Sequence, residues 1–166
     1  MKKTSEQWIQ ELDMKPHPEG GFFKEVYRSG LSVKKEHLPD EFSGDRNIST
    51  SIYYLLSEND KSRFHRILSD ELWHFYDGST LLIFEIESNG LLKINRLGMN
   101  TEEGDLPQVV IKAGNWFGAV LQNKNSYCLA GCTVSPGFHF EDFELADRGE
   151  LLKTFPEHTD IIKLLT

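Results

Sequence analysis

Apolar and polar positions along the 166-residue chain change their period twice. Near the start, Trp8, Ile9 and Leu12 recur at helical spacing behind Thr4 and Gln7, a pair with the separation of a capping box. Pro16 and Pro18 end that run, and Gly20-Gly21 permits a tight turn before a strand at 22–28. Residues 29–48 are polar and broken by Gly30, Pro39 and Gly44, so they read as a loop, either a lid over a site or a surface excursion. From Ser49 onward, short β-branched and aromatic runs alternate with turn residues: 49–56, 63–68, 71–76, 81–87, 91–97, 109–111, 116–121 and 127–134. A polar turn at 58–61 separates the first two. Asn89-Gly90 joins 81–87 to 91–97 as a hairpin, because both turn residues need positive φ. Helical spacing returns at 148–155, with Leu151 and Leu152 before Pro156, and at 160–165, with Ile161, Ile162, Leu164 and Leu165. Without repeat or linker, residues 1–166 form a single domain, an all-β sandwich or barrel flanked by short N- and C-terminal helices.

Composition narrows the partners. Eleven Phe, five Tyr and three Trp suit a broad sheet core or an aromatic-lined pocket. The net charge of −8 repels a phosphate backbone, so nucleic acid is not an expected partner. No apolar stretch approaches the roughly 20 residues of a membrane span, and the start lacks the apolar core of a secretion signal. A cytoplasmic protein with no membrane contact is expected. Cys128 and Cys132 stand four apart in an apolar run, too few for a structural zinc site and poorly placed for bridging, and are expected as plain buried thiols.

The densest chemistry is in SRFHRILSDELWHFYDG, residues 62–78. Alternation puts Arg63, His65 and Ile67 on one strand face, and Glu71, Trp73 and Phe75 on one face of the next. His74 then points the other way with Leu72 and Tyr76, toward a subunit contact. If the first two faces meet inside a barrel, His65 approaches Glu71. That pair is compatible with half of a metal site, with an acid–base pair in which Glu71 orients the imidazole, and with a structural hydrogen bond. Tyr53 and Tyr54 alternate, so one faces inward as a candidate acid; Tyr53 is assigned that role. Trp73, Phe75, Trp116 and Phe117 are candidates for an apolar wall. His17 and Glu19 read as part of a helix-to-strand turn, with Glu19 within reach of a pocket mouth. His139 and Glu141 read as loop or edge residues.

The same segment resembles the first cupin motif, with Ser57, Arg63, His65, Glu71 and Gly78 at the corresponding places. Arg63 stands where the motif has its first His. The second cupin motif maps onto 106–121 and keeps only Gly114; Lys112 replaces the Pro, Phe117 the metal-binding His and Leu121 the Asn. A narrower resemblance is closer. PHPEGGFFKEVYRS (16–29), STSIYYLL (49–56), SDELWHF, AGNWFGA (113–119) and GCTVSPGFHFEDFEL (131–145) are similar, in order, to one cupin subfamily with no established activity. The resemblance implies a double-stranded β-helix, a jelly-roll barrel, that is a homodimer with a small-molecule ligand in the barrel. Cupin metal sites use three His and one Glu. Here only His65 and Glu71 remain, since Arg63 stays protonated and Phe117 has no donor atom. The expectation is therefore no metal and no cofactor; His65 and Glu71 would be the ligands if one bound.

Three functions follow. The first is a metal-independent enzyme of the epimerase or isomerase kind on a polar or carbohydrate-like substrate, by analogy with cupin-fold sugar-nucleotide epimerases. In it His65 is the base, Glu71 its orienter and Tyr53 the acid. Arg63 holds an anionic group, and Trp73, Phe75, Phe117 and His74 contribute to ligand binding. The second is a non-catalytic binding module using the same pocket. The third is a metal-dependent cupin enzyme.

Overall fold

A computed structural model describes residues 3–58 and 60–166. The turn expected at 58–61 includes Asn59, which lies outside the described residues, as do Met1 and Lys2. The chain opens with α1 (Ser5–Glu11), capped by Thr4 and Gln7 in the expected reciprocal box. β1 (Lys15–Pro16) and β2 (Phe22–Arg28) follow. β3 (Ser32–Val33) and β4 (Arg46–Asn47) form a small hairpin inside the 29–48 segment. The barrel strands proper are β5 (Thr50–Ser57), β6 (Lys61–Ile67), β7 (Asp70–Gly78), β8 (Leu81–Ile86), β9 (Leu92–Leu97), β10 (Gln108–Ile111), β11 (Trp116–Leu121), β12 (Tyr127–Ser135) and β13 (Phe143–Leu145). The chain ends with α2 (Arg148–Thr154) and α3 (Thr159–Leu165).

Strand order gives a jelly roll of two sheets, β1-β2-β5-β12-β7-β10 and β13-β6-β11-β8-β9. The connections cross repeatedly from one sheet to the other, so neighbours in space are distant in sequence. β12 lies between β5 and β7, and β11 between β6 and β8. The hairpin at Asn89-Gly90 forms, with Ile86 opposite Leu92, but only Gly90, at φ 85°, takes the positive φ expected of both turn residues.

One part of the interior is packed solid. Leu56, Leu81, Ile83, Leu97, Ile111 and Phe117 meet there from both sheets, each about 1% exposed or less. Outside the second sheet, α2 and α3 press Leu151, Ile162 and Leu165 onto Phe64 and Ile86. Outside the first sheet, Trp8, Ile9 and Leu12 of the α1 region cover Met14, Leu55, Tyr127 and Leu129. The other end of the barrel is not filled by aliphatic side chains, and this is where the cavity opens.

Three bulges break the period-2 pattern. β6 has one residue more than β11 between Ser62 and His65, so both of these point inward and Arg63 points out. β2 has an extra residue at Val26 and β7 one at Tyr76. The Tyr76 ring lies over Gly131, where a Cβ would sit 2.3 Å from the phenol oxygen. Cys128 and Cys132 are buried free thiols, as expected.

Ile162 is fully buried between helix and sheet. Ile162→Ala is expected to lower unfolding free energy by about 2–5 kcal/mol, seen as a lower urea midpoint at unchanged m-value.

Candidate functional site

The cavity has a volume of about 320 Å³ and takes its walls from both sheets and from the turn before β2. That turn, PHPEGG, is driven into the barrel. Gly20 has φ 121°, and a Cβ there would lie 2.1 Å from the Lys61 carbonyl oxygen; Gly21 has φ 67° with Leu55 O 2.6 Å from its would-be Cβ. Only glycine allows the backbone so close to β5 and β6. The inserted turn is then tied down. Arg63 N–H donates to Glu19 O at 2.9 Å, and the Arg63 guanidinium donates to the carbonyls of Pro18 and Glu19. Tyr54 O–H donates to Gly20 O at 2.9 Å.

The insertion carries Glu19 into the interior, where it is 5% exposed. Three side chains meet its carboxylate. Ser62 Oγ donates to Oε1 at 2.7 Å, while His65 Nε2 lies 3.1 Å and His17 Nδ1 3.2 Å from Oε2. Burial pushes this carboxyl up, but the charge of His65, the bond and charge of His17 and the bond from Ser62 outweigh it and hold Glu19 at about 2. His65 is fixed at both nitrogens, since Nδ1 lies 2.8 Å from the Arg63 carbonyl oxygen. A carbonyl accepts only, so Nδ1 carries a proton, and Nε2 is turned to the Glu19 carboxyl. Burial, the largest influence, holds the His65 pKa below its ordinary value against the opposing pull of the Glu19 charge and the Arg63 carbonyl.

His17 differs. Its Nδ1 faces Glu19 and its Nε2 makes no hydrogen bond among the described residues. The ring stands edge-on to Phe23 at 4.8 Å and stacks at 6.4 Å on Phe140. The carboxylate contact at 3.2 Å is shorter than the 3.4 Å one from Glu19 N–H and is charge-assisted. It therefore keeps the proton on Nδ1 and leaves Nε2 as an acceptor in the cavity.

Glu71 and Trp73 come from β7, two apart and on one face, as alternation requires. Glu71 is 7% exposed. Burial pushes its carboxyl up to about 8, helped by the charge on Glu19 and partly offset by the Cys132 thiol. At neutral pH the cavity interior thus holds one ionised carboxyl, Glu19, and one neutral one, Glu71. The rest of the wall is mostly apolar, with Ile52, Ile67, Val134, Phe138, Phe140 and Phe143 beside Thr50, Tyr54, Cys132 and His139. At the rim, Arg28 forks onto Glu25 at 3.0 and 2.7 Å and donates to Asn47 Oδ1 at 2.9 Å. The 29–48 segment is a clasp rather than a free loop. Buried Arg46 pairs with Asp142 through two bonds of 2.5 and 2.6 Å, pinning the 138–143 wall.

The sequence-derived residues scatter around this geometry. His65, Glu71 and Trp73 line the cavity. Phe117 lies behind His65, its ring tilted by 56° at a centroid distance of 4.1 Å, and Phe75 packs against the solid core. Arg63 does not share the inward face of His65, because of the bulge, and its guanidinium braces the turn. Tyr54 faces inward and Tyr53 outward, where its ring meets Tyr76 at 6.0 Å. His74 is also on the outer face, 3.4 Å from Thr133 Oγ1. His65 meets Glu19 rather than Glu71. His17 and Glu19 are the residues that local pattern undervalued; their signal was a carboxylate followed at once by two glycines.

The two carboxyls give stability opposite pH dependences. Glu19, depressed, stabilises above its ordinary pKa and loses that contribution as pH falls toward 2. Glu71, raised, leaves the fold unpenalised below about 4.5 and weakens it as pH rises through about 8. Glu71→Gln is therefore expected to exceed the wild type in unfolding free energy at pH 9, by on the order of a few kcal/mol, with the gap closing toward pH 4.5. Urea titrations at the two pH values check this.

Residues 6–146 match the family described as Cupin superfamily (DUF985). The yeast Saccharomyces cerevisiae protein named "Uncharacterized protein YML079W" is 29% identical over 146 residues, covering 82% of this chain and 72% of that one. Among solved structures, protein SO0799 from Shewanella oneidensis superposes with TM-score 0.89 at 34% identity, covering 99% of this chain and 98% of that one. A hypothetical protein from Leishmania major gives TM-score 0.89 at 31% identity over 99% of both chains. Oxalate decarboxylase from Bacillus subtilis shares the fold alone, with TM-score 0.56 and 13% identity over 93% of this chain and 37% of that one. With the jelly roll, its inward-facing site and these relatives in agreement, the chain belongs to the cupin superfamily, in the DUF985 family.

Proposed function

We propose that this cupin is a metal-independent enzyme that moves a proton at a carbon next to a carbonyl group, as an isomerase or epimerase does. The observation that carries this reading is the pair of buried carboxyls driven to opposite protonation states across one apolar cavity. Such a pair separates the acid from the charged partner of a base. Glu71, neutral at pH 7, is the acid. His17 is the base, oriented through Nδ1 by ionised Glu19, with Nε2 toward the ligand. In the step, the C–H proton passes to His17 Nε2 and its electron pair becomes the new C=C bond. The carbonyl π pair takes the Glu71 proton, giving an enol. Glu19 stabilises the imidazolium while it exists. Return of a proton to another face or carbon gives the isomer and restores both groups.

The metal chemistry of other cupins does not fit these residues. His65 is engaged at both nitrogens, and Glu19 at both oxygens. Arg63 and Phe117 stand where two further ligands would be, and no group of three or more His, Cys, Asp or Glu among the described residues is arranged to hold an ion. The substrate we propose is a largely apolar carbonyl compound rather than the polar, carbohydrate-like one expected from the sequence. A polyol would press hydroxyls against Ile52, Ile67 and Phe143 without partners, at a cost of roughly 1–3 kcal/mol each.

The test is solvent exchange. Aryl methyl ketones, 1,3-diketones and 2-oxo acids are incubated with the protein in D₂O, and loss of the α C–H signal is followed by proton NMR. At least one class is expected to exchange about 100-fold or more above buffer, with the rate falling as pH rises through about 8. Glu71→Gln and His17→Gln are each expected to remove about 100-fold or more of that rate. Exchange at the buffer rate throughout, or an undiminished rate in both variants, would overturn the reading. A compound held tightly and returned unchanged would identify a binding module instead.

A further inference from the structure

Three phenylalanines, Phe138, Phe140 and Phe143, stand close together in GFHFEDF, and all three line the cavity. In an unbroken strand, Phe138 and Phe140 would face one side and Phe143 the other. A single 3₁₀ turn, Phe140–Asp142, brings all three to the same space. Their rings meet at 5.0 Å and 81° (Phe138 with Phe140), 6.2 Å and 68° (Phe138 with Phe143) and 6.2 Å and 77° (Phe140 with Phe143). The planes are close to mutually perpendicular, like three faces meeting at the corner of a box. None of the three packs into the buried apolar clusters of the fold. Phe138 and Phe143 are half-buried, and Phe140 is 55% exposed.

The backbone carrying these rings is held from several sides. Phe138 N–H donates to Thr50 Oγ1 at 2.9 Å, and the Phe138 carbonyl accepts from Arg28 Nη1 at 3.2 Å. Gly137 N–H donates to Asn47 O at 2.7 Å, and Asp142 takes the two bonds from buried Arg46. Polar bonds thus fix rings that apolar packing leaves uncovered. Burying a charged pair is costly, and here it sets the geometry of the three rings before any ligand arrives. The corner also borders the proposed base. His17 stands edge-on to Phe143 at 6.0 Å and nearly parallel to Phe140 at 6.4 Å. Arg28, the one permanent cation among the described wall residues, stands beside Phe138 and is already forked onto Glu25. The corner therefore opposes a cation and offers no free partner to an anion.

An aromatic ring has an electron-rich face and an electron-poor edge, and it pairs with other rings edge-to-face or offset. A flat ring placed in a corner of perpendicular rings meets faces and edges at once. A saturated ring of the same size is thicker and has no such quadrupole. The space agrees. A dry cavity of about 150 Å³ holds one benzene, so about 320 Å³ takes an aromatic ring with a short side chain. We infer that the Phe138, Phe140 and Phe143 corner seats an aromatic ring, and that the ligand is an aryl or arylalkyl carbonyl compound whose chain reaches past His17 toward Glu71. This deepens the proposed function and rests on it for the carbonyl group; the preference for an aromatic ring rests on the corner alone.

The probes are benzylacetone and the ketone obtained from it by saturating the ring, which share one carbon skeleton and one carbonyl. Dissociation constants are measured by proton NMR titration of the wild type, Phe140→Leu and Phe143→Leu. The wild type is expected to bind benzylacetone about tenfold more tightly than the saturated ketone, with the benzylacetone ring protons shifted upfield by the facing rings. Each variant keeps an apolar side chain and is expected to narrow that ratio to about twofold or less. The ratio cancels any general loosening of the cavity, and Phe140 is exposed, so its variant keeps the fold. A narrowed ratio in either variant supports the inference. Equal affinities in the wild type, a ratio unchanged in both variants, or no binding of either probe at millimolar concentration would overturn it. An aromatic preference beside a null D₂O exchange would keep the ligand class and remove the reaction. Exchange of the saturated ketone without any aromatic preference would do the reverse.

Discussion

Putting a carboxylate inside an apolar barrel is costly unless donors surround it, and the site of this protein is organised around that requirement. Glu19 reaches the interior because a Pro-flanked turn ending in two glycines passes between β5 and β6. Once there it needs partners at both oxygens, and Ser62, His17 and His65 supply them. Ser62 and His65 can both face it only because β6 bulges between them. The same bulge turns Arg63 outward, where it holds the turn in place by its carbonyls. Glycines, bulge, Arg63 and the Tyr54 phenol thus serve one end: a fixed negative charge in a dry place.

That charge sets the chemistry of its neighbours. Across the cavity, Glu71 is buried without a cation and faces the field of Glu19, so it keeps its proton at neutral pH. His17 gains an orienting carboxylate and keeps a free nitrogen. His65, locked on both sides, becomes part of the support rather than an exchanging group. Neutral acid and oriented imidazole then face one small, mostly apolar space, pinned at its rim by the buried Arg46–Asp142 pair. No single residue type in this set is unusual; the distances and burial give the set its function.

Much of the fold was legible in the chain because local rules governed it. The Asn89-Gly90 hairpin, the capping box at Thr4, the terminal helices and the inward face Glu71–Trp73 all follow from turn chemistry or from a period held within one element. The site was legible only in part. His65, Glu71 and Trp73 were found from their strands. The partner of His65 was not, because Glu19 comes from a turn 43 positions before Ser62, with which it bonds, and alternation says nothing of such pairs. Arg63 was misplaced by a bulge that adds one residue to β6 and leaves no mark in hydrophobicity. Tyr53 and Tyr54 differ only in parity, and the register of β5 against β12 sends Tyr54 inward. The cupin motifs were a guide to the barrel and not to the chemistry, since the positions that carry a metal elsewhere carry Arg63 and Phe117 here.

The account stands on opposite protonation of two buried carboxyls, and that can be observed without knowing any substrate. Protein labelled with ¹³C at the glutamate side-chain carboxyl would be titrated by NMR, with Glu19 and Glu71 assigned from their Gln variants. The account predicts a Glu71 signal in the neutral position at pH 6.5 that titrates near 8, beside a Glu19 signal in the ionised position down to about pH 3. A Glu71 carboxyl already ionised at pH 6.5, or a Glu19 carboxyl that is neutral there, would contradict it.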